Sequence, residues 1–230
     1  MRGQRIGRVR GRDDGHRGGQ DVDGALLEST SRDLLVRFPS LRVDAICADY
    51  RDIASLISAG PPTVVLFIGS SIGNLDPDAA GATLREIRRI LNRGDSLLLG
   101  ADLQKPKQTV EPAYNDTLGV TAAFNLNLLA RINRELGGHF DLSKFAHRAF
   151  LNEEKGRIEM HLVSLERQVV AIDALRMQVT LEKSETIHTE NSYKYAESDL
   201  ELLAREAGFA IEESWSDSAS GFVDMLMVAR

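Results

Sequence analysis

The sequence predicts an α/β protein built on a largely parallel sheet. Two apolar runs of strand length, residues 63–68 and 96–99, are separated by a segment with helical spacing at residues 79–91. A second helix at residues 197–207 precedes two short strands near the C-terminus. Strands that alternate with helices are typical of a parallel sheet with helices packed against it.

The regions that flank this pattern extend it in both directions. Leucines recur at helical spacing from Asp21 until Pro39 ends the run, and residues 41–47 then predict a strand. This strand and the one at residues 63–68 are expected to be buried on both faces. The strands at 210–215 and 222–228 are expected to close one edge of the sheet.

Residues 105–192 interrupt the alternation. A helix is predicted at residues 122–136, followed by an antiparallel pair formed by residues 157–170 and 176–182. We therefore predict two parts: a main domain of residues 21–104 and 193–230, and an inserted α+β subdomain of residues 105–192.

The first 20 residues contain six arginines and six glycines and almost nothing apolar. Such a segment cannot contribute to a packed core and is predicted to be disordered. Three interpretations remain open: a flexible tail, a wrong start or shifted reading frame that replaces a natural N-terminal region, or an RNA-binding arm.

Composition excludes several classes of protein. The formal net charge of −6 disfavours nucleic-acid binding, which needs a surplus of basic side chains on one surface. The single cysteine, Cys47, can form neither an intrachain disulfide nor a cysteine-rich metal site. No segment has the length and apolarity of a membrane span or a secretory signal, so we expect a cytoplasmic protein.

Polar side chains follow the predicted strands and form candidate sites. In open α/β sheets, ligands bind beyond the carboxyl ends of the strands. Asp21 is placed to accept hydrogen bonds from both hydroxyls of a ribose, and Asp49 with Tyr50 to hold an adenine. The alternative for each carboxylate is a helix cap or a solvated charge.

The turn from Gly69 to Asn74 is a further candidate site. It offers backbone N–H groups and an amide side chain where a strand opens into a loop, which suits a small polar ligand such as an amino-acid headgroup. The alternative is a turn whose Asn74 side chain satisfies backbone groups.

Several longer segments resemble one enzyme family in order and spacing. The turn segment at 67–75 resembles the corresponding loop of the ergothioneine-pathway histidine N-alpha-methyltransferases. The other segments are 113–127, 131–136, 157–162 and 189–195. The match runs from about Asp21 to Arg230 and is more specific than a short glycine motif.

The resemblance implies a class I methyltransferase-like (Rossmann-like) fold with an inserted substrate-binding subdomain. It also implies S-adenosylmethionine as the cofactor, L-histidine as the substrate, and three successive methylations of the α-amine to give Nα-trimethylhistidine (hercynine). The implied cofactor-binding residues are Asp21, Asp49 and Tyr50. The implied substrate-binding residues are Gly69, Asn74, Tyr114, Met160, Glu190 and Ser192. No general base is nominated, because alignment of the two reactants supplies most of the rate enhancement.

The implied roles differ within the substrate site. By resemblance, Asn74 and Tyr114 bind the α-carboxylate and α-amine, while Glu190 and Ser192 face the imidazole and Met160 lines its pocket. A carboxylate such as Glu190 can accept the imidazole N–H, and would also favour a charged imidazolium. The alternative roles are a helix cap for Glu190, packing between subdomains for Tyr114 and core filling for Met160.

The sequence departs from the family pattern at its N-terminal end. Family members carry a first strand that runs into a glycine-rich loop of the Glu-Leu-Gly-Ser-Gly type before the position of Asp21, and this chain does not show one. Gly15, Gly18 and Gly19 are no substitute, since no apolar strand precedes them. We therefore expect a sheet that lacks its first strand and binds S-adenosylmethionine weakly or not at all.

Two alternative functions stay open: a folded, catalytically inactive amino-acid-binding remnant, and an N-methyltransferase for another aromatic amino acid. A metal site is not predicted, because the spacing of His139, His147, His161 and His188 matches no compact ligand motif and Asp or Cys partners at suitable offsets are lacking. The expected partner is a small molecule, L-histidine, and the protein is expected to act as a monomer without nucleic acid or membrane.

Overall fold

A computed structural model of the chain describes residues 10–11, 24–41, 43–47, 62–218 and 221–230. The chain divides into two compact units, residues 1–60 and 61–230. Asp21, Asp49 and Tyr50 lie outside the described residues.

The described residues of the first unit form one helix and one short strand pair. Helix α1 spans Gly24–Arg37, as the leucine spacing predicts. Strand β1 (Arg10–Gly11) pairs in parallel with strand β2 (Ile46–Cys47). The disorder of residues 1–20 stays a prediction, since only Arg10 and Gly11 of that segment are described, and among the described residues 41 and 43–47 the strand covers Ile46 and Cys47. Composition gave no signal for this pair, since ladder hydrogen bonds join backbone groups.

The second unit is built on a four-stranded sheet. Strands β3 (Val64–Phe67) and β4 (Ser96–Asp102) are parallel, and β11 (Phe222–Ala229) runs antiparallel to both β4 and β10 (Phe209–Ser216). The strand order is β10-β11-β4-β3. The C-terminal strands therefore close one edge of the sheet, as predicted. The sheet and its helices confirm the α/β class and the Rossmann-like arrangement.

Two helices pack against this sheet. Helix α2 (Pro77–Ile90) is capped at its N-terminus by Asp76, whose carboxylate accepts a hydrogen bond from the Ala79 backbone N–H at 2.9 Å. It buries Leu84 completely, and helix α5 (Glu197–Glu206) buries Leu200 in the same core. The amphipathic spacing that predicts both helices is the spacing that places these leucines on the sheet.

Strand β3 is not buried on both faces. Val64 is 59% and Leu66 is 62% exposed, while Val65 and Phe67 pack against the core. The prediction of two-sided burial is wrong here, because the described residues cover only one face of this strand. A continuous apolar run did not distinguish the two arrangements.

Residues 105–192 form helices and two small antiparallel sheets. Helix α3 spans Lys107–Tyr114 and helix α4 spans Val120–Leu136. The strands are β5 (Phe145–Asn152), β6 (Arg157–Ser164), β7 (Gln168–Ile172), β8 (Met177–Leu181) and β9 (Thr186–Tyr193). One sheet has the order β5-β6-β9, and the other pairs β7 with β8.

The predicted antiparallel pair of residues 157–170 and 176–182 is therefore only partly right. The chain leaves strand structure after Ser164 and resumes it at Gln168, so the second half alone pairs with β8. The first half, β6, pairs with β5 and β9, which the sequence did not indicate. The apolar run hid this break, because both segments keep a buried face.

Candidate active site

A buried lysine joins three parts of the second unit. Lys194 follows β9 directly, and its side chain is 2% exposed. Its Nζ lies 2.7 Å from Oδ2 of Asp102, 2.8 Å from the Tyr114 hydroxyl and 2.9 Å from Oγ of Ser192. A strand end of the main sheet, a helix and a strand of residues 105–192 thus meet at one ammonium group.

Asp102 anchors this cluster to the main sheet. It is the last residue of β4, and its second carboxylate oxygen pairs with Lys105. Its backbone N–H donates to Oγ of Ser70 at 2.9 Å, and its carbonyl accepts from the Tyr195 N–H at 3.1 Å. The carboxyl end of β4 is therefore fixed to both the Gly69–Asn74 turn and the segment that follows β9.

Tyr114 is positioned by hydrogen bonds at both ends. Its hydroxyl donates to Oγ of Ser192 at 2.9 Å, and its ring lies 4.9 Å from the Lys194 ammonium. Its backbone carbonyl lies 2.8 Å from Nε2 of His147, which must donate because a carbonyl only accepts. Nδ1 of His147 then accepts from the buried Asn125 amide at 3.0 Å.

Met160, Glu190 and Ser192 share one face of the β5-β6-β9 sheet. Met160 is directly opposite Glu190, and Ile158 is opposite Ser192, so the side chains of these pairs point to the same side. The ladder shifts register between Met160 and His161, and the Thr189 hydroxyl bonds to the Met160 carbonyl at 2.9 Å there. Met160 is 4% exposed.

The turn that carries Gly69 and Asn74 contacts the end of β9. A Cβ added to Gly73 would lie 3.0 Å from the carbonyl oxygen of Tyr193, so a side chain there would force this backbone to shift by a few tenths of an ångström. Burial raises the pKa of Tyr195 to about 12, and its protonated hydroxyl donates to the Ile72 carbonyl at 3.3 Å. Asn74 is exposed, and the space beside Gly69 is open.

A protein-family model described as "Histidine-specific methyltransferase, SAM-dependent" matches residues 18–229. The chain belongs to this family. The match covers both the four-stranded sheet and the inserted strands, so the site described above lies wholly inside it.

Relatives of the chain carry related names. The histidine N-alpha-methyltransferase of Mycolicibacterium smegmatis is 39% identical over 202 residues, which cover 88% of this chain and 63% of the relative. The protein of the same name from Mycobacterium tuberculosis is 37% identical with the same coverage. The chain thus spans less than two thirds of the length of these two relatives. The L-tryptophan methyltransferase trpM of Psilocybe serbica is 28% identical over 163 residues, covering 70% of this chain and 45% of the relative.

Solved structures give weaker likenesses. The PH0226 protein from Pyrococcus horikoshii OT3 aligns with a TM-score of 0.48 at 14% identity, covering 91% of this chain and 71% of that one. The fold assignment rests instead on the strand order and on family membership. No helix in the described part of the chain has the length and apolar character needed to cross a membrane.

The structure brings several of the predicted site residues of this methyltransferase-family chain together. Tyr114 and Ser192 are in direct contact, Met160 and Glu190 share the sheet face of Ser192, and the turn with Gly69 and Asn74 contacts the strand that carries Ser192. The predicted cofactor residues lie outside the described part of the chain.

The sequence analysis missed Lys194 and His147, two residues that position Tyr114 or Ser192 by hydrogen bonds. Lys194 lies between Tyr193 and Tyr195 within the motif at 189–195, and a lysine flanked by two buried aromatic residues was the available signal. His147 gave no signal, because its partners lie 33 and 22 residues away.

The opposite face of the β5-β6-β9 sheet carries a second polar cluster. Burial opposes ionisation of Glu159, but hydrogen bonds from Arg157 and His161 outweigh it and lower the pKa of Glu159 to about 2. Burial lowers the pKa of His161, whose ring stacks on that of His188 at a centroid distance of 4.5 Å. Arg157 also donates to the Tyr193 hydroxyl at 2.6 Å.

Glu159, His161 and His188 each place one potential ligand atom within 4.8 Å of the others. The sequence argument against a metal site considered only aspartate and cysteine partners and so overlooked Glu159. The two imidazole planes differ by 11°, however, and a metal ion must lie near the plane of each ligating ring. Two stacked, nearly parallel rings do not direct their in-plane lone pairs to one point.

Proposed function

We propose that the protein methylates the α-amine of L-histidine with S-adenosylmethionine, in three successive steps that end in Nα-trimethylhistidine. The observation that carries this proposal is the hydrogen-bonded cluster of Tyr114, Ser192 and Lys194, in which Ser192 lies on the sheet face that also holds Glu190 and Met160. Family membership supplies the reaction class, and this cluster supplies polar groups beside Glu190 and Met160.

Each side chain has a role that its chemistry supports. The turn with Asn74 and the hydroxyl of Tyr114 take the α-carboxylate and the α-amine, and Gly69 offers backbone contact. Glu190 and Ser192, which are two residues apart on one strand, face the substrate ring. Met160 supplies the apolar floor beneath the ring, a role suited to an adaptable thioether side chain.

The described residues fit one side of the reaction. Gly69 lies just beyond the carboxyl end of β3, and ligands of open α/β sheets bind at such strand ends. No atom lies within 4 Å of the position that a Cβ of Gly69 would occupy. When bound, S-adenosylmethionine would supply an activated methyl group, which the neutral α-amine would take as the carbon–sulfur bond breaks. The protein's task is to hold the amine in line with that methyl group, and alignment of this kind contributes up to about 7–11 kcal/mol.

Likeness to an L-tryptophan methyltransferase favours a second candidate, methylation of another aromatic amino acid. The two candidates differ in what they require of Glu190 and Ser192. A histidine ring presents two nitrogens to these side chains, whereas an indole presents a single N–H donor.

Calorimetric titration and a methylation assay test the proposal. The full 230-residue chain is titrated with L-histidine and with L-tryptophan, and each is then incubated with S-adenosylmethionine and followed by mass spectrometry. We expect histidine binding and mono-, di- and trimethylated products. Glu190→Ala should weaken histidine binding about tenfold or more, since a buried hydrogen bond to a charged group contributes about 1.5–3 kcal/mol.

Other outcomes separate the alternatives. Histidine binding with no methylated product would identify an amino-acid-binding domain, and preferential methylation of tryptophan would overturn the choice of substrate. The sequence also predicts weak S-adenosylmethionine binding, so the methylated products should form only at high cofactor concentration, and a separate titration with the cofactor measures its affinity.

A further inference from the structure

The Lys194 ammonium has all three of its donors engaged. An ammonium carries three N–H bonds and no acceptor. The three acceptors are Oδ2 of Asp102, the Tyr114 hydroxyl and Oγ of Ser192, all within 2.9 Å of Nζ. Toward both hydroxyl groups, Lys194 therefore acts only as a donor.

This arrangement favours one direction for the hydrogen bond between Tyr114 and Ser192. A hydroxyl oxygen has two lone pairs and one proton. Oγ of Ser192 accepts from Lys194 at 2.9 Å and from the Tyr114 hydroxyl at 2.9 Å, which occupies both lone pairs. A phenol is also a better donor than an aliphatic alcohol, which favours the direction from Tyr114 to Ser192. When Tyr114 donates in this way, the proton of Ser192 is left for donation to a third group.

We infer that Lys194 is a positioning residue that holds Ser192 as a hydrogen-bond donor toward the substrate, so that the site selects the neutral imidazole ring of histidine. The inference rests on the proposed function, because it takes the sheet face of Ser192 and Glu190 as the wall that meets the substrate ring.

The hydrogen-bonding groups of Ser192 and Glu190 are complementary to those of a neutral imidazole. An ionised carboxylate at Glu190 only accepts, while Ser192 only donates. A neutral imidazole has one N–H donor and one acceptor nitrogen and satisfies both groups. An imidazolium has two donors and an indole has no acceptor nitrogen, so either ring leaves the Ser192 proton without a partner.

Lys105 provides a matched comparison for Lys194. Both lysines pair with the Asp102 carboxylate, Lys105 through Oδ1 and Lys194 through Oδ2. The Lys105 ammonium also donates to the Gly221 carbonyl at 2.9 Å, and neither of its partners is a hydroxyl of the site. If a lysine only neutralised Asp102, the two lysines would have the same role. Lys194 alone of the two donates to Ser192 and so orients its hydroxyl proton.

The test is the pH dependence of histidine binding by the full chain with excess S-adenosylhomocysteine. Affinity is measured by calorimetry between about pH 7.5 and about pH 5.5, across the ordinary imidazole pKa of about 6.5. L-β-(2-thienyl)alanine, whose five-membered ring does not titrate, reports any pH effect of the protein itself. The proteins are the natural chain, Lys194→Met and Lys105→Met, each checked for cooperative thermal unfolding.

We expect the natural chain and Lys105→Met to bind histidine about tenfold more weakly at the lower pH, because only about a tenth of the imidazole is then neutral. Lys194→Met should lose most of this dependence, since Ser192 regains a lone pair that can accept from an imidazolium. Thienylalanine binding should change little with pH in all three proteins.

Three results would overturn the inference. One is an unchanged pH profile in folded Lys194→Met, and another is loss of the profile in Lys105→Met as well. The third is tighter binding of histidine by the natural chain at the lower pH, which contradicts a donating Ser192. This measurement tests the inference even if Lys194→Met does not fold. A chain that binds no histidine at any pH would instead refute the proposed function itself.

Discussion

The carboxylate of Asp102 and the ammonium of Lys194 lie 2.7 Å apart at the junction of β4 and β9, where the Lys194 side chain is 2% exposed. The main sheet and the inserted strands are therefore joined by a buried ion pair as well as by backbone hydrogen bonds. The same ammonium orders the two hydroxyls of the proposed substrate site.

Replacement of Asp102 by Asn should destabilise the fold. The change leaves the Lys194 ammonium buried without its carboxylate, and breaking a buried pair in this way costs about 3–5 kcal/mol. Urea unfolding at neutral pH measures the loss. Lys105→Met is the control, since Lys105 is 24% exposed and should contribute about 1 kcal/mol or less. Equal losses in the two variants would show that Lys194 does not depend on its partner.

Tyr114→Phe should lower histidine affinity about tenfold with little effect on the reaction products. The variant loses the hydroxyl that donates to Ser192 and accepts from Lys194, a loss of about 1–1.5 kcal/mol in a hydrogen-bonded site. Calorimetry measures the change. Tyr193→Phe removes a hydroxyl that bonds to Arg157 and should leave affinity unchanged. Comparable losses of affinity in both would show that the effect does not depend on the contacts of the Tyr114 hydroxyl with Ser192 and Lys194.

Leu129→Ala should destabilise the inserted region by about 2–5 kcal/mol, because it opens a cavity in a packed core. Leu129 is 1% exposed and packs in the cluster that contains Phe140 and Leu162. Its neighbour Leu128 is 40% exposed, so Leu128→Ala should change the free energy of unfolding by less than about 1 kcal/mol. Thermal unfolding of both variants compares them, and similar melting temperatures would contradict the burial of Leu129.

Acid should remove the stability that Glu159 provides. Its pKa in the folded chain is about 2, below the unfolded value of about 4.3, so its contribution is complete above the unfolded value and is lost as pH falls toward 2. The upper limit of this contribution is about 3 kcal/mol. Glu159→Gln should therefore be less stable than the natural chain at pH 7, by a margin that shrinks below about pH 4.

The control for this measurement is Glu86→Gln, which removes an exposed carboxylate paired with Arg89. It should track the natural chain at all pH values. A margin between Glu159→Gln and the natural chain that stays constant down to pH 3 would show that Glu159 is not held ionised by Arg157.

Zinc should not bind at Glu159, His161 and His188, because the stacked rings point their lone pairs along parallel planes. Titration with Zn²⁺ is expected to leave the melting temperature unchanged, and so is dialysis against a chelator. A rise in melting temperature that His188→Ala abolishes would show that the exposed ring rotates to form a site.

The sequence by itself determined the main sheet and its helices. The helix at Pro77–Ile90 and the strands at Ser96–Asp102 and Phe222–Ala229 follow from patterns that repeat every two or every 3.6 residues. Such patterns depend on neighbours within one turn or two positions of the chain. They are therefore present in the sequence whether or not the rest of the molecule is known.

Only the tertiary structure decided the pairing of β5, β6 and β9 and the burial of Lys194. The hydroxyls of Tyr114 and Ser192 meet across 78 residues, and no local period records a contact between such distant positions. A lysine is ordinarily a surface residue, and its burial here depends on an aspartate and two hydroxyls that three separate elements bring to one point. Contacts of this kind are set by the packing of whole elements, and side-chain periodicity carries no information about them.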